Sequence, residues 1–432
     1  MIINFDHNPL HHGTLGAIRS LGRAGVPVHL VQERRGLPVG RSRYVHSEHA
    51  WPVTLRGAGD AVVVLRELAA RISGRPVVLP VDDAGAIFLA EHADALVESY
   101  DLPRQQPQLA RRLLDKHSLV EICAEAGVAH PETLRPRSWQ ELITTEPPGG
   151  RWPVVLKQAT PWIESSVPEL PRTVIVRDRS ELAGLASRAT AADPGLLLQE
   201  YLPPSPGGDW FFHGYYDAGG TVRFGGTGVK VRSWPAYAGF TVLGRSMANP
   251  AVHRAADTLL RSVGYSGIVD IDLRLDPSTG RYHVLDVNPR LGAQHRLFRS
   301  AAGIDVARAF HLDLTGRAIP AAPPAQGRTF LVENFEPATA RRYLDDGHLD
   351  VGTWWRSIRS VDEFAWFAGD DPLPFAAMIV RSAAEGLRNR IPALRRRPAR
   401  RPALAARVTT FPVREPRRPE SPRHSARVRP HP

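Results

Sequence analysis

The sequence predicts a protein of mixed α/β class with an open parallel sheet in its N-terminal domain, and three observations define that reading. Apolar strand-like runs alternate with helical runs near the N-terminus, residues 267–290 read as an acidic hairpin, and 432 residues at 43% apolar suffice for a sizeable core divided among two to four domains. In order, Ile2-Ile3-Asn4-Phe5 reads as a first strand, 14–24 as a helix closed by Gly25, and 26–31 as a second strand. Residues 76–81 give a further apolar strand that ends at Asp82-Asp83, and 84–91 a helical run. Such alternation implies a parallel sheet whose ligand crevice lies at the carboxyl ends of the strands. Asp6, His7, Asp82 and Asp83 fall at those ends. Each acid is expected to cap the next helix, with binding of an amine or carboxylate as the alternative. His11 and His12 read as loop residues.

The hairpin carries the sharpest chemistry. Its two strands flank a turn at 277–280, with Asp270 and Asp272 alternating with apolar residues on the first strand, and Asp286 and Asn288 on the second. Each pair therefore shares one face, and pairing of the strands makes acidic oxygens converge. Carboxylates crowded together repel and lose hydration, and a hard divalent cation relieves both costs. Mg2+ favours a few carboxylates completed by phosphate oxygens. Pro289 ends the ladder and leaves Arg290 directed at the same region.

Only three of the 55 basic residues are lysines: Lys116, Lys157 and Lys230. Arginine does the ordinary surface work, so a residual lysine marks a place where a compact ammonium serves better than a planar guanidinium, and contact with phosphate is such a place.

The order of segments resembles the ATP-grasp superfamily, and within it the carboxylate-amine ligase group. The matching pieces are Leu113-Leu114-Asp115-Lys116, Ala126-Gly127-Val128-Ala129-His130-Pro131-Glu132-Thr133, Trp152-Pro153-Val154-Val155-Leu156-Lys157, Leu198-Gln199-Glu200-Tyr201-Leu202, Gly228-Val229-Lys230-Val231-Arg232 and Asp286-Val287-Asn288-Pro289-Arg290. Six motifs in the right order, over about residues 1–315, are far more specific than any one. The resemblance implies an ATP-grasp fold: an N-terminal parallel-sheet domain (1–110), a connector (111–150) and two lobes clasping ATP (151–205 and 206–315). It implies that Lys116 and Lys157 hold the ATP phosphates, and that Lys230 is a third basic group near the phosphates or the acyl substrate. The backbone of Gln199, Glu200, Tyr201 and Leu202 would pair with the adenine edge. Asp209 matches the acid that binds the ribose, with Glu200 as its rival because 203–208 lengthens the usual spacing. Asp272, Asp286 and Asn288 match the ligands of Mg2+, for which Mn2+ can substitute. Arg290 matches an arginine that stabilises the phosphoryl group or the reacting carboxylate.

Two departures stand out. Aspartates replace the glutamates many members carry, and Asp270 occupies a position where some relatives place an arginine. The glycine-rich lid expected after Lys157 reads instead Gln158-Ala159-Thr160-Pro161-Trp162-Ile163-Glu164-Ser165-Ser166. The implied reaction is ATP-dependent amide formation through an acyl phosphate, with release of ADP and phosphate, and needs no protein nucleophile. Its partners would be a small carboxylate and an amine, an amino acid or short peptide. A non-catalytic MgATP-binding regulator and an ATP-grasp carboxylase or kinase are the alternatives.

The single cysteine, Cys123, excludes an internal disulfide framework and reads as a small buried residue of helix 118–126. The start of the chain lacks a basic, apolar leader and there is no apolar run of about 18 residues, so a cytoplasmic protein without a membrane span is expected. Residues 327–387 read as a small module whose aromatic clusters, Trp354-Trp355 and Phe364-Ala365-Trp366-Phe367, belong to its core. Residues 388–432 hold 14 Arg and two Glu, a net +12 against +11 for the whole chain. This proline- and arginine-rich tail is expected to be disordered and solvated, with nonspecific attraction to anions and no specific nucleic-acid pattern.

Overall fold

A computed structural model describes residues 1–390, apart from 53, 54, 56, 161–166, 168, 169, 172 and 190–192, and gives backbone alone at 387–390. Most of the lid segment and the tail beyond residue 390 therefore lie outside the described residues.

The first four strands, β1 (Ile2–Ile3), β2 (Val28–Gln32), β3 (Val45–Ala50) and β4 (Leu79–Pro80), form a parallel sheet in the order β3-β2-β1-β4. The chain steps outward from β1 to β3 and then crosses to the other side of β1. The carboxyl ends of β1 and β4 therefore flank the point where strand order reverses, the usual crevice of open α/β sheets. Asp82 takes the capping role expected of it: it accepts from Gly85 N at 2.6 Å at the start of helix Asp83–Glu91, and also from the amides of Phe5 and Asp6. His12 is not a loop residue but opens a helix, with His11 just outside it. His11 caps helix His12–Gly22 by accepting from Thr14 N through Nδ1, because imidazole nitrogen replaces the more usual oxygen acceptor there.

A second sheet is antiparallel, with β5 (Thr133–Leu134), β6 (Val154–Gln158), β7 (Thr173–Val176) and β8 (Leu196–Glu200) in the order β5-β8-β6-β7. The connector region thus supplies an edge strand as well as helices. Its leucines and valines, including Val154, Leu156, Leu196 and Leu198, bury one face against helices Trp139–Thr144 and Arg179–Ala186.

The third sheet has seven strands: β9 (Asp209–Tyr216), β10 (Val222–Trp234), β11 (Phe240–Ser246), β12 (Gly267–Asp276), β13 (Arg281–Asn288), β14 (Thr329–Leu331) and β15 (Glu363–Phe364). They lie in the order β13-β12-β9-β10-β11-β14-β15. Helix Pro250–Ser262 covers one face, with Val252, Ala256, Leu259 and Leu260 packed on Phe212, Tyr216 and Val269. The other face shares a continuous core with the N-terminal sheet, in which Leu15, Ile18 and Leu30 meet Phe211, Phe298, Phe330 and Trp366. Cys123 is fully buried, and burial pushes its thiol up to about 12. Among the described residues no helix is long and apolar enough to cross a membrane.

β14 and β15 come from the segment read as an appended module, and they complete the sheet rather than pack beside it. Its aromatics divide. Trp366 is buried, whereas Trp355 and Phe367 are 53% and 48% exposed, because each sits where the helix or loop faces outward. Buried Arg19 ties the region to the N-terminal domain, donating to Asp371 Oδ2 at 2.9 Å and to its carbonyl at 2.8 Å, while Ser42 Oγ donates to the same carboxylate at 2.7 Å. The neighbouring Arg23–Asp370 pair is part exposed. Arg19→Ala is expected to destabilise the fold by about 3–5 kcal/mol, since it leaves a buried carboxylate uncompensated. Arg23→Ala should cost under about 1 kcal/mol. Denaturant midpoints of the two variants check the contrast, and equal shifts would contradict it.

Candidate functional site

The hairpin forms in the register the alternation requires. Asp272 stands directly opposite Asp286, and Asp270 opposite Asn288. Directly opposed side chains on an antiparallel pair have Cβ atoms only about 5 Å apart, so like charges there destabilise the sheet unless compensated. Three cations pair with them directly, and Lys157 acts on Asp286 from nearby. Lys116 pairs with Asp286 and Lys230 with Asp272 at 2.9 Å. Arg290 donates to Asp270 Oδ2 at 2.9 Å and to Asp83 Oδ1 at 3.2 Å, which links the hairpin to the end of β4.

The elements that deliver the cations differ. Lys116 is the first residue of helix Lys116–Glu125, whose N-cap Asp115 accepts from Ser118 N at 2.9 Å. Its ammonium adds to the positive end of the helix dipole, which makes that corner attractive to anions. Lys157 enters from β6, on the opposite lobe. Lys230 lies at a bulge in β10, where the register shifts between Lys230 and Arg232 and again before Ser233. The bulge re-aims neighbouring side chains, with Lys230 in the cleft and Arg232 buried against Glu336.

These residues line one cleft of about 260 Å3, which includes Lys116, Lys157, Lys230, Asp209, Asp272, Asp286, Asn288, Asp83, Arg274 and, from the small lobe, Gln158 and Thr173. Electrostatics follow from burial and neighbours. Burial, reinforced by adjacent Lys116 and opposed by Asp286, drives Lys157 down to about 8. Burial would also lower Lys230, but Asp272, Asp209 and Asp270 outweigh it and hold its ammonium above the ordinary range. For Asp272, burial raises the pKa and Asp270 and Asp286 add to it against Lys230. Asp286 goes the other way: burial is overcome by Lys116, Lys157 and Arg290, which keep it ionised. Burial of Arg290 is likewise outweighed by Asp83 and Asp270.

The site residues of the linker are distributed otherwise. Gln199 is buried and donates to Thr133 Oγ1 at 2.9 Å, and Glu200 directs its carboxylate toward Arg151 at 3.6 Å and the amide of Glu132, outside the cleft lining. Neither Tyr201 nor Leu202 is part of the lining, although the Leu202 carbonyl accepts from Arg274, which is, at 2.9 Å. Asp209 does line the cleft, but both its oxygens are engaged by Arg274, at 2.6 and 3.0 Å. Arg274 was not singled out by the sequence, although it continues the Asp270, Asp272 alternation on β12 and so shares their face. His213 was also missed. It is 1% exposed, with Nε2 3.1 Å from Asp270 Oδ1 but out of line for a good hydrogen bond. Only the pairing of β9 with β12 brings them together, a contact without local sequence signal.

Two opposed carboxylates and a neighbouring amide fit a hard cation that completes its shell with phosphate oxygens and water. Among the described residues, no three His, Cys, Asp or Glu side chains form a cage sufficient by themselves. The donor set therefore suits Mg2+ held jointly with an anionic ligand, and three lysines converge where that ligand's charge would lie.

The fold has counterparts among known proteins. The structure resembles the L-amino acid ligase from Bacillus licheniformis with a TM-score of 0.57 at 18% identity, covering 76% of this chain and 77% of that one. It resembles the N5-carboxyaminoimidazole synthetase of Staphylococcus aureus complexed with ADP with a TM-score of 0.55 at 14% identity, covering 74% and 77%. The fold is the ATP-grasp fold. A family model described as carbamoyl-phosphate synthase L chain, ATP binding domain, matches residues 245–312, which contain Asp272, Asp286, Asn288 and Arg290. The D-aspartate ligase of Enterococcus faecium (strain Aus0004) is 24% identical over 247 residues, 55% of this chain, and the chain spans 58% of that relative's length.

With only three lysines in the chain, their titration can be followed one by one. In NMR of 13C-methylated protein, the Lys157 resonance is expected to titrate near 8 and that of Lys230 above the ordinary 10.5. Three coincident titrations near 10.5 would contradict the charge pattern described.

Proposed function

We propose that the protein is an ATP-dependent carboxylate-amine ligase. The observation that carries this reading is the meeting, in one cleft between two lobes, of Lys116, Lys157 and Lys230 with the opposed Asp272 and Asp286 and with Asn288. In the reaction a substrate carboxylate oxygen attacks the γ-phosphorus of ATP, which gives an acyl phosphate and ADP. The amine then attacks the acyl carbon, phosphate leaves, and the amine gives up a proton as the amide forms. The work left to the protein is orientation and charge compensation.

Lys116, from the connector helix Lys116–Glu125, and Lys157, from β6, bracket the phosphates. The pairs Lys116–Asp286 and Lys230–Asp272 are ready to exchange partners, with ammonium to phosphate and carboxylate to metal, so charges remain matched when the ligand enters. Asp272, Asp286 and Asn288 would hold Mg2+, which when bound screens the repulsion between the phosphate oxygens. Arg290 is fixed by Asp83 and Asp270 from two domains, and its role in this reading is to stabilise the reacting carboxylate from beside the lining. Fold similarity to an L-amino acid ligase and sequence similarity to a D-aspartate ligase support an amino acid as the carboxylate or the amine.

Lys157→Ala is expected to weaken ADP and ATP binding at least tenfold, read by titration calorimetry. The sign of the pH dependence follows from the low pKa of Lys157: affinity is flat below about 8 and falls as pH rises through it, because the free protein then loses the ammonium that phosphate requires. Lys157→Arg, permanently charged, should remove that alkaline loss. Asp286→Asn should retain nucleotide binding while losing Mg2+-dependent turnover, measured as ADP release with pooled amino acids. Turnover at the wild-type rate in Asp286→Asn would sink the metal assignment.

A further inference from the structure

The turn between β10 and β11, residues 235–239, forms part of the cleft wall through Ala238 and Gly239. It is held from both sides. From inside, Arg274 donates to Tyr237 O at 2.8 Å, and Lys230 makes a longer contact of 3.4 Å with Gly239 O. From outside, the Tyr237 ring lies 4.6 Å from that of Tyr343 and 5.3 Å from that of His348. Its hydroxyl lies 3.0 Å from Asp346 Oδ2 and 2.9 Å from His348 Nδ1. Tyr237 has φ +64°, and among the described residues it is the only non-glycine at positive φ. A conformation that side chains avoid persists only where its surroundings impose it, and here those surroundings come from the C-terminal region. At Gly239 an added Cβ would sit 1.8 Å from Trp234 O, so the turn is closed too tightly for any other residue.

The outer contacts are rigidly mounted. Tyr343 belongs to helix Glu336–Asp345, and Glu336 is buried against Arg232 at 2.5 Å and accepts from Trp354 Nε1 at 3.1 Å. Arg232 lies on the strand that carries Lys230, two residues away and just across the bulge. The inner contacts, by contrast, are made by cleft cations. When Lys230 turns to a phosphate its contact with Gly239 is lost, and the turn is then held mainly by Arg274 and by the grip on Tyr237.

We propose that residues 235–239 are a gate over the nucleotide cleft and that Tyr343, Asp346 and His348 of the C-terminal region set the work of opening it. This rests on the functional reading above. Tyr237 is then a positioning residue: it acts on bound nucleotide through the turn it holds closed.

The test is ADP release, followed by stopped-flow displacement of a fluorescent ADP analogue, together with hydrogen exchange of the amides at 236–241 in the free protein. Tyr237→Phe removes both hydroxyl contacts and Tyr343→Ala the ring contact. Each should raise the ADP dissociation rate roughly tenfold, the scale of one or two lost side-chain contacts, and speed exchange at the turn. Tyr343→Phe keeps the ring, loses only the long 3.4 Å contact of its hydroxyl with Ser233 N, outside the turn, and should release ADP as the wild type does. A merely structural role would lower the melting temperature without changing release. ADP binding with unchanged dissociation and unchanged exchange in Tyr237→Phe and Tyr343→Ala overturns the gate alone. Failure of the wild-type protein to bind ADP at all overturns the functional reading and the gate with it.

Discussion

Everything at the cleft depends on the register of β12 against β13. That register sets Asp272 against Asp286 and Asp270 against Asn288, which places three carboxylates within reach of one another in a partly desolvated groove. A sheet with such an arrangement is stable only if cations arrive from elsewhere, and they come from four directions: a helix N-terminus, the small lobe, a bulged strand and the residue after Pro289. The lobes are thus drawn to the hairpin by charge as well as by apolar packing. Slipping the register by one residue would turn the acids to the opposite face and leave the cations facing apolar side chains.

The compensation is pairwise and exchangeable rather than permanent. Where Arg19 and Asp371 are both sealed from water, the pair acts as a fixed rivet between domains. Lys230 and Asp272, at 11% and 32% side-chain exposure, lie at the edge of an open cleft, where partner exchange costs far less desolvation. The same chemistry, ammonium or guanidinium against carboxylate, serves structure in one place and ligand binding in the other. Depth of burial decides between them.

How much of this the sequence revealed depended on the range of the interaction. Period-two alternation is local, so the shared faces of Asp270, Asp272, Asp286 and Asn288 were legible, as were the turn at 277–280 and the capping of a helix by Asp82. Scarcity made the lysines legible, because three ammonium groups among 55 basic residues stand out without any structure. Contacts across strands distant in sequence left no trace. His213 meets Asp270 only through the pairing of β9 with β12, and Asp209 is engaged by Arg274 through the same pairing. The aromatics of the C-terminal region misled for a related reason: hydrophobicity alone does not reveal that Trp355 faces outward while Trp366 is buried. The part of 327–387 that forms strands also read as separate because its sheet partner, β11, lies some eighty residues earlier.

The central claim is that this cleft activates a carboxylate as an acyl phosphate, and oxygen tracing tests it most directly. With an 18O-labelled carboxylate substrate, found among pooled amino acids by ADP release, the account predicts one labelled oxygen in each inorganic phosphate formed, since the bridging oxygen of the acyl phosphate leaves with phosphorus. ATP consumption that yields unlabelled phosphate, or AMP in place of ADP, would contradict it.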